Sequence, residues 1–433
     1  MRVLYLDNAQ LVAASSCLYE GLHRVLGGDA VVEFPFRAPL HGGSHDILLE
    51  ENYGPLYAVA RGEDPLPAGI PPFALGEPLT GGDAHLFGPG DIPCAVPNKH
   101  EERRTWDQMV AAVPEFDFIV LASSHRIPTI TLALLRDRLG GKLPPVVYLD
   151  GGERDDFNAH WWHVFRPALC FKQILTPAVR DAPRSPANPC PLWPLPLANQ
   201  FLGAEDHFGY SWTVSQFITT LARLIDEPPP GGANLRRGPC PDRHVDVVYP
   251  HGISWDGREA VLRAFRDEVA ATGAWGVEKT FNWGPPYFLA AFRSRMALSI
   301  RGSGRDSLRY WELPAFGPLL LADGTMGAIH PHPFRDGDTA AFWSSLDELR
   351  SKFRYYLSHE DERARVAARG TDHLRRFHTA EARALFFLAV VRRELGVDYS
   401  VEQRGRVAAR LDNLGWGSPL PDWEGPVVGY EPG

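Results

Sequence analysis

Cysteine is scarce in this chain. The five present (Cys17, Cys94, Cys170, Cys190, Cys240) are odd in number, scattered over 433 residues and never paired as C-x-x-C. That excludes a disulfide framework and a zinc ribbon, and it suits free thiols in a reducing compartment. Basic surplus is lacking as well. The net charge is −9 and no Lys/Arg block occurs, which argues against a nucleic-acid partner needing a basic face. No apolar run approaches a membrane span, so no integral membrane segment is expected. The opening M-R-V-L-Y-L-D enters a strand pattern at once, without the charged and apolar regions of a signal peptide. The expectation is a cytoplasmic enzyme or binding protein, and no internal sequence repeat suggests a solenoid.

What is present is material for two cores. An apolar share of 44% is typical of a globular chain, and this length divides naturally into two domains of about 200 residues. Arg2–Leu6 reads as a strand, the segment after Ser15/Ser16 as a helix ended by Gly27-Gly28, and Ala30–Phe34 as a second strand. This β-α-β opening marks a doubly wound α/β domain. Residues 35–100 are rich in Pro, Gly and Asp and read as a loop-rich insertion, where His41, His45, Glu50 and Glu51 are acceptor contacts or solvated loop residues. Further on, Glu101–Val113 is predicted helical, Phe116–Ala122 a strand, Pro128–Leu139 a helix and Val146–Leu149 a strand. The run His160-Trp161-Trp162-His163 is either a stacking surface for a sugar or ordinary packing. A helix over Trp212–Ile225 leads to a Pro/Gly linker, Asp226–Asp242. A second β-α-β then starts with strand Val245–Tyr249 and helix Gly257–Thr272. Thr339–Tyr356 and Glu360–Phe377 are predicted helical, Thr379–Leu395 is strongly apolar, and the tail beyond Asp398 is expected to be loosely ordered.

The densest stretch is Ser299–Asp323, S-I-R-G-S-G-R-D-S-L-R-Y-W-E-L-P-A-F-G-P-L-L-L-A-D. The apolar run Met296–Ile300 has the length of a buried strand, and the turn Arg301-Gly302-Ser303-Gly304-Arg305 follows. Asp306 or Ser307 then caps a short helix carrying Arg309 and Glu312 three apart on one face. Strand, glycine turn and helix N-terminus together present free N–H groups and a positive dipole end to phosphate. Arginines add charge-assisted bonds, and a glutamate one turn deeper can hold both hydroxyls of a ribose. His251-Gly252, after the strand Val245–Tyr249, is either a further nucleotide contact or a plain turn.

The segment R-Y-W-E-L-P-A-F-G-P-L-L-L resembles the donor-site helix of GT-B glycosyltransferases, closest to bacterial enzymes of the spore-maturation type and more distantly to exostosin-like ones. The resemblance continues through Phe334–Asp338, Asp347–Leu349, Tyr355–Arg363, Val366–Gly370 and Phe377–Arg383, and the pair Phe171-Lys172 with Pro194-Leu195-Pro196 is similar to a recurring segment near the end of the family's first domain. It implies a GT-B α/β fold of two doubly wound, Rossmann-like domains facing across a cleft. Residues 1–200 would form the acceptor domain, 201–242 a helix and linker, 243–378 the nucleotide-sugar donor domain, and 379–433 a crossing helix and tail that brace the first domain. Arg301, Gly302, Ser303, Gly304, Arg305, Ser307, Arg309 and Glu312 are the candidate donor-binding residues, with His251 as a further candidate. The donor would be a nucleoside-diphosphate sugar, with no further cofactor. The acceptor would be a carbohydrate, a glycoconjugate or a small molecule.

No metal is expected. Asp336-Gly337-Asp338 is formally a D-x-D, but it follows the donor helix and reads as a donor-edge loop, while His330-Pro331-His332 lacks a third ligand at a suitable spacing. Diphosphate charge would then be met by N–H groups and by Arg301, Arg305 and Arg309. Retaining relatives of the resembled class often carry a second glutamate eight positions before the ribose glutamate. Here that position is Gly304, which favours inversion with a base from the first domain. Asp150 and Glu153, beside Asp155-Asp156, are preferred to His125 for that role, since mutual repulsion can raise a carboxyl pKa; capping of the next helix is the competing account. A nucleotide-sugar epimerase and a non-catalytic sugar-binding protein remain as alternative functions on the same fold.

Overall fold

The computed structural model describes residues 1–7, 13–35, 53–67, 70, 104–123, 126–151, 164–180, 190–198, 243–250, 256–278, 290–302 and 305–417. The expected helix over Trp212–Ile225, the linker Asp226–Asp242, the aromatic run 160–163 and most of the 35–100 insertion lie outside them.

Two parallel sheets organise the chain. The first runs β2(Val31–Phe34), β1(Val3–Leu6), β3(Phe118–Leu121), β4(Val146–Asp150), β5(Leu169–Lys172), β6(Leu192–Pro194), in that spatial order. The second runs β8(Gly276–Glu278), β7(Val245–Tyr249), β9(Ser294–Ser299), β10(Leu319–Asp323), β11(Ala341–Trp343). Counted within each domain, both begin 2-1-3-4-5, a doubly wound order whose direction of winding reverses between the first and third strands. The fold is thus two α/β domains of the same winding, the architecture implied by the resemblance to GT-B enzymes. Register is fixed by pairs such as Val3↔Phe118 in the first sheet and Val247↔Met296 in the second.

Strands buried on both faces read as continuous apolar runs, and alternate residues feed opposite layers. In β1, Val3 and Tyr5 enter one core while Leu4 and Leu6 enter the other. The Val3 side is covered by α1(Ala13–Leu26) and by α10(Ala380–Leu395) from the far end of the chain. The other side is covered by α2(Pro55–Arg61), α3(Trp106–Ala112) and α4(Arg126–Arg138). α1 and α10 meet so closely that a Cβ at Gly21 would stand 2.0 Å from the Ala380 carbonyl oxygen, which only glycine permits. In the second domain, α6(Asp256–Thr272) and α8(Leu346–Ser358) cover the Val247 and Leu321 side, and Trp311 with its neighbours covers the Val248 and Leu320 side. A short α5(Pro177–Arg180) follows β5, and the longer α9(Glu360–Phe377) precedes α10.

Three expectations are corrected. The apolar residues at the start of the predicted helix Thr339–Tyr356 form β11 instead, and the helix begins at Leu346 behind Ser345, whose hydroxyl accepts from the Glu348 N–H. The tail beyond Asp398 is not loose at first. It forms α11(Val401–Leu414), opened by a capping box of Ser400 and Gln403, and Trp416 beyond it is buried in the first core. Thr105 with Gln108 forms a second capping box and starts α3 later than the predicted Glu101.

Candidate active site

In a doubly wound sheet ligands bind outside the carboxyl ends of the strands, where the winding reverses. In the second domain that place lies between β7, ending at Tyr249, and β9, ending at Ser299. Arg301 and Gly302 follow β9 directly. Arg305 comes next among the described residues, with Nη1 3.3 Å from where a Cβ on Gly327 would stand, so its guanidinium lies against the turn that follows β10. α7(Leu308–Glu312) then leads away, and its Arg309 donates from Nε to the Pro250 carbonyl at 2.5 Å. That bond ties the helix to the end of β7, across the reversal point. Glu312 closes α7 with only 5% of its surface exposed. Arg301, Gly302, Arg305 and Arg309 are thereby grouped at one end of one sheet, with Ser307 beginning α7 and Glu312 buried at its far end. Ser303, Gly304, His251, His125 and Glu153 lie outside the described residues.

Two residues at this place carry roles that the sequence reading did not give them. Arg258 of α6 is buried, at 4% exposure, and donates from Nε and Nη2 to the Arg301 carbonyl and from Nη2 to the Ile300 carbonyl. It fixes the peptide carbonyls of Ile300 and Arg301 where the chain leaves β9. Asp306 does not cap α7, and neither does the Ser307 side chain. Asp306 is turned inward, where it accepts from the Leu197 N–H at 2.9 Å and the Trp311 Nε1–H at 2.7 Å. The signal for Arg258 was weak, an arginine one turn into a helix. Asp306 looked like a helix cap because that is where aspartate usually sits.

The other carboxylates are committed elsewhere. Asp336 accepts from the Phe342 N–H at 2.7 Å and pairs with Lys352 at 2.9 Å, and Asp338 pairs with Arg369. His330 packs against Trp311 with ring centroids 5.1 Å apart, and His332 stacks on Phe377 at 4.2 Å. These two join His373 and His378 in an aromatic cluster around Phe334. Burial lowers the pKa of all four: His330 to about 3, His332 to about 4, His373 moderately and His378 strongly. Among the described residues no group of three or more His, Cys, Asp and Glu side chains is arranged to hold a metal ion.

In the first domain Asp150 ends β4, directly opposite Lys172 of β5. The Lys172 ammonium, 1% exposed, meets Asp150 Oδ2 at 2.8 Å, while 15% of the Asp150 side chain stays open. The pair fixes a carboxylate at a strand end, the usual place for chemistry in such sheets.

Residues 258–389 match the model of a family described as glycosyl transferase-like. The match spans less than a third of the chain, from the start of α6 to the middle of α10. No curated protein matches the chain in sequence. Among solved structures, the fold is similar to that of HepE from Anabaena in complex with UDP and glucose, at 10% identity over 90% of this chain and 99% of that one, with a TM-score of 0.45. A UDP-forming α,α-trehalose-phosphate synthase from Burkholderia xenovorans is 13% identical over 67% of this chain and 76% of that one, TM-score 0.45. The glycosyltransferase SnogD from Streptomyces nogalater is 13% identical over 90% and 99%, TM-score 0.36. At such identities and scores the likeness does not extend to substrate.

Proposed function

We propose that the protein is a glycosyltransferase that moves a sugar from a nucleoside-diphosphate sugar to an acceptor hydroxyl, without a metal and with inversion at the anomeric carbon. The observation that supports this reading most is the grouping at the ends of β7 and β9: a glycine-bearing turn braced by Arg258, two arginines beside it, and Glu312 at the end of a helix fastened to Pro250. Such a place offers N–H groups and guanidinium charge to a diphosphate and a carboxylate to a ribose.

In the reaction, a first-domain carboxylate, Asp150 or Glu153, takes the proton of the acceptor hydroxyl. The acceptor oxygen bonds to the anomeric carbon as the bond from that carbon to the diphosphate oxygen breaks. The sugar passes to the acceptor and the nucleoside diphosphate leaves with the electron pair. Arg301, Arg305 and Arg309 stabilise the charge that develops on it. The acceptor is a carbohydrate, a glycoconjugate or a small molecule.

A thermal-shift screen of UDP, GDP, dTDP and CMP tests the donor reading. A true ligand at a hundredfold excess over Kd adds roughly 2.7 kcal/mol of stability. Silence across all four overturns it. Incubation with the donor alone separates the epimerase alternative, which would return an isomerised nucleotide sugar.

A further inference from the structure

Asp306 stands where three separate parts of the chain converge. Its Oδ2 accepts the N–H of Leu197, in the last described stretch of the first domain, 109 residues away in sequence. Its Oδ1 accepts the indole N–H of Trp311, on the donor helix itself. Arg383 of α10 lies beside it, donating through Nη2 to the Leu197 carbonyl at 2.9 Å and through Nε to the Pro196 carbonyl at 3.2 Å, with its guanidinium over the Trp311 ring at 5.0 Å. The chain leaving the first domain is therefore bonded both to the donor motif, through Asp306, and to the returning helix, through Arg383. Asp306 is also the residue between Arg305 and Ser307, so it cannot shift without moving the turn. Nothing in cap chemistry or sheet formation calls for a buried aspartate here. A carboxylate removed from water is costly, and such a group persists where its bonds fix something.

We propose that Asp306 is a positioning residue: its carboxylate latches the donor turn to the joint between the two domains, so that the placement of Arg305 and Arg309 depends on that joint. This rests on the donor reading of the site. Both oxygens of Asp306 serve as acceptors, one for each segment. Burial pushes the Asp306 carboxyl up to about 6, against the opposing bonds from Leu197, Trp311 and the Ser307 N–H and the charge of Arg383. The titratable groups facing Asp306 and Arg383 are Tyr310 of α7, Cys17 of α1, which bonds the Ala198 carbonyl, His378, which bonds Arg383, and His330 and His332, which feel the Arg383 charge. His378 is held neutral by burial and Tyr310 protonated, so neither changes charge near pH 6.

Two measurements test the latch. In calorimetry at pH 8 with whichever of UDP-glucose, GDP-mannose and dTDP-glucose binds the wild type, Asp306→Asn, which sets an amide donor against an N–H donor, should bind at least about tenfold more weakly while its far-ultraviolet circular dichroism stays that of the wild type. Wild-type affinity in the folded variant overturns the proposal. The second measurement needs no ligand and no variant. Amide hydrogen exchange of the wild type at rising sub-denaturing guanidinium should give Leu197 and residues 306–312 one shared opening free energy and denaturant slope. Different opening free energies or slopes at the two places overturn the latch. If no nucleotide sugar binds the wild type, the donor reading fails while the exchange result still decides whether the two segments are coupled.

Discussion

The Arg258 guanidinium donates to the Arg301 carbonyl twice, from Nε at 3.0 Å and from Nη2 at 2.6 Å. A fork of two parallel donors on one oxygen, with a third bond to Ile300, fixes the peptide that opens the glycine turn. Arg258→Met should therefore cost about 2–4 kcal/mol of stability, from bonds to a charged group worth roughly 1.5–3 kcal/mol each. It should also weaken nucleotide binding more than tenfold. Arg258→Lys keeps the charge without the fork and should recover only part of both. Denaturant unfolding and calorimetry read the two effects. Full donor affinity in Arg258→Met would show that the turn holds its shape unaided.

Glu312 is expected to hold ribose hydroxyls. Glu312→Ala should lower nucleotide affinity by about 1.5–3 kcal/mol, the value of a hydrogen bond to a charged acceptor. A 2′-deoxy nucleotide should bind the wild type more weakly yet lose little more in the variant, because the lost contact is the same one. Equal losses for ribo- and deoxynucleotide would place Glu312 elsewhere on the ligand.

Asp150→Asn or Glu153→Gln should abolish transfer while leaving donor affinity intact. Lys172→Met should lower kcat as well, by releasing the Asp150 carboxylate from its 2.8 Å partner. The product's anomeric configuration, read from NMR coupling constants, should be opposite to the donor's. Retained configuration would defeat inversion, and near-normal rates in both carboxylate variants would move the base to another residue.

Two buried histidines, His330 and His378, and two half-buried ones, His332 and His373, give the fold an acid-sensitive side. Their ordinary value is 6.5, and burial lowers each of them in the folded state. Between pH 6.5 and about 4 the unfolded chain binds protons that the folded one refuses, so stability falls as pH drops through that window. Each histidine contributes up to about 1.4 kcal/mol per pH unit. Asp306 has the opposite sign, because its raised carboxyl binds a proton in the folded state first, but it is one group against four. The Tm should drop markedly between pH 7 and 5, and His330→Phe should make the drop shallower. A Tm unchanged over that range would contradict the burial of these rings.

Activity should survive EDTA. Asp336 and Asp338 are each paired with a cation, Lys352 and Arg369, so neither is poised as a metal ligand. Complete loss of turnover, restored by Mn²⁺, would require those pairs to open.

Much of the fold was legible because strands buried on both faces leave an unbroken apolar run, as in Phe118–Leu121 or Leu319–Asp323, while Gly27 and Gly317 mark where helices stop. β11 was misread since Ala341-Phe342-Trp343 runs straight into an amphipathic helix, and three residues cannot declare a period of their own. β6 and β8 are as short and went unseen for the same reason. In the site, spacing along one helix placed Arg309 and Glu312 on a shared side, because that relation is local. The inward turn of Asp306 was not legible. Its partners at Leu197 and Arg383 lie far off in sequence, and only the tertiary fold brings them to it.

The first core is finished by the last part of the chain. Leu385, Phe387 and Val391 of α10 and Val407 of α11 lie in the same apolar cluster as Val3, Tyr5 and Leu22, and the Gln403 amide donates to the Met1 carbonyl at 2.8 Å. On a ribosome the opening strands emerge long before the helix that covers them. The second sheet, by contrast, has every strand in hand once Trp343 is made. The domain begun first is therefore the one completed last, and until α10 arrives its α1 face stays open to water and to other apolar chains.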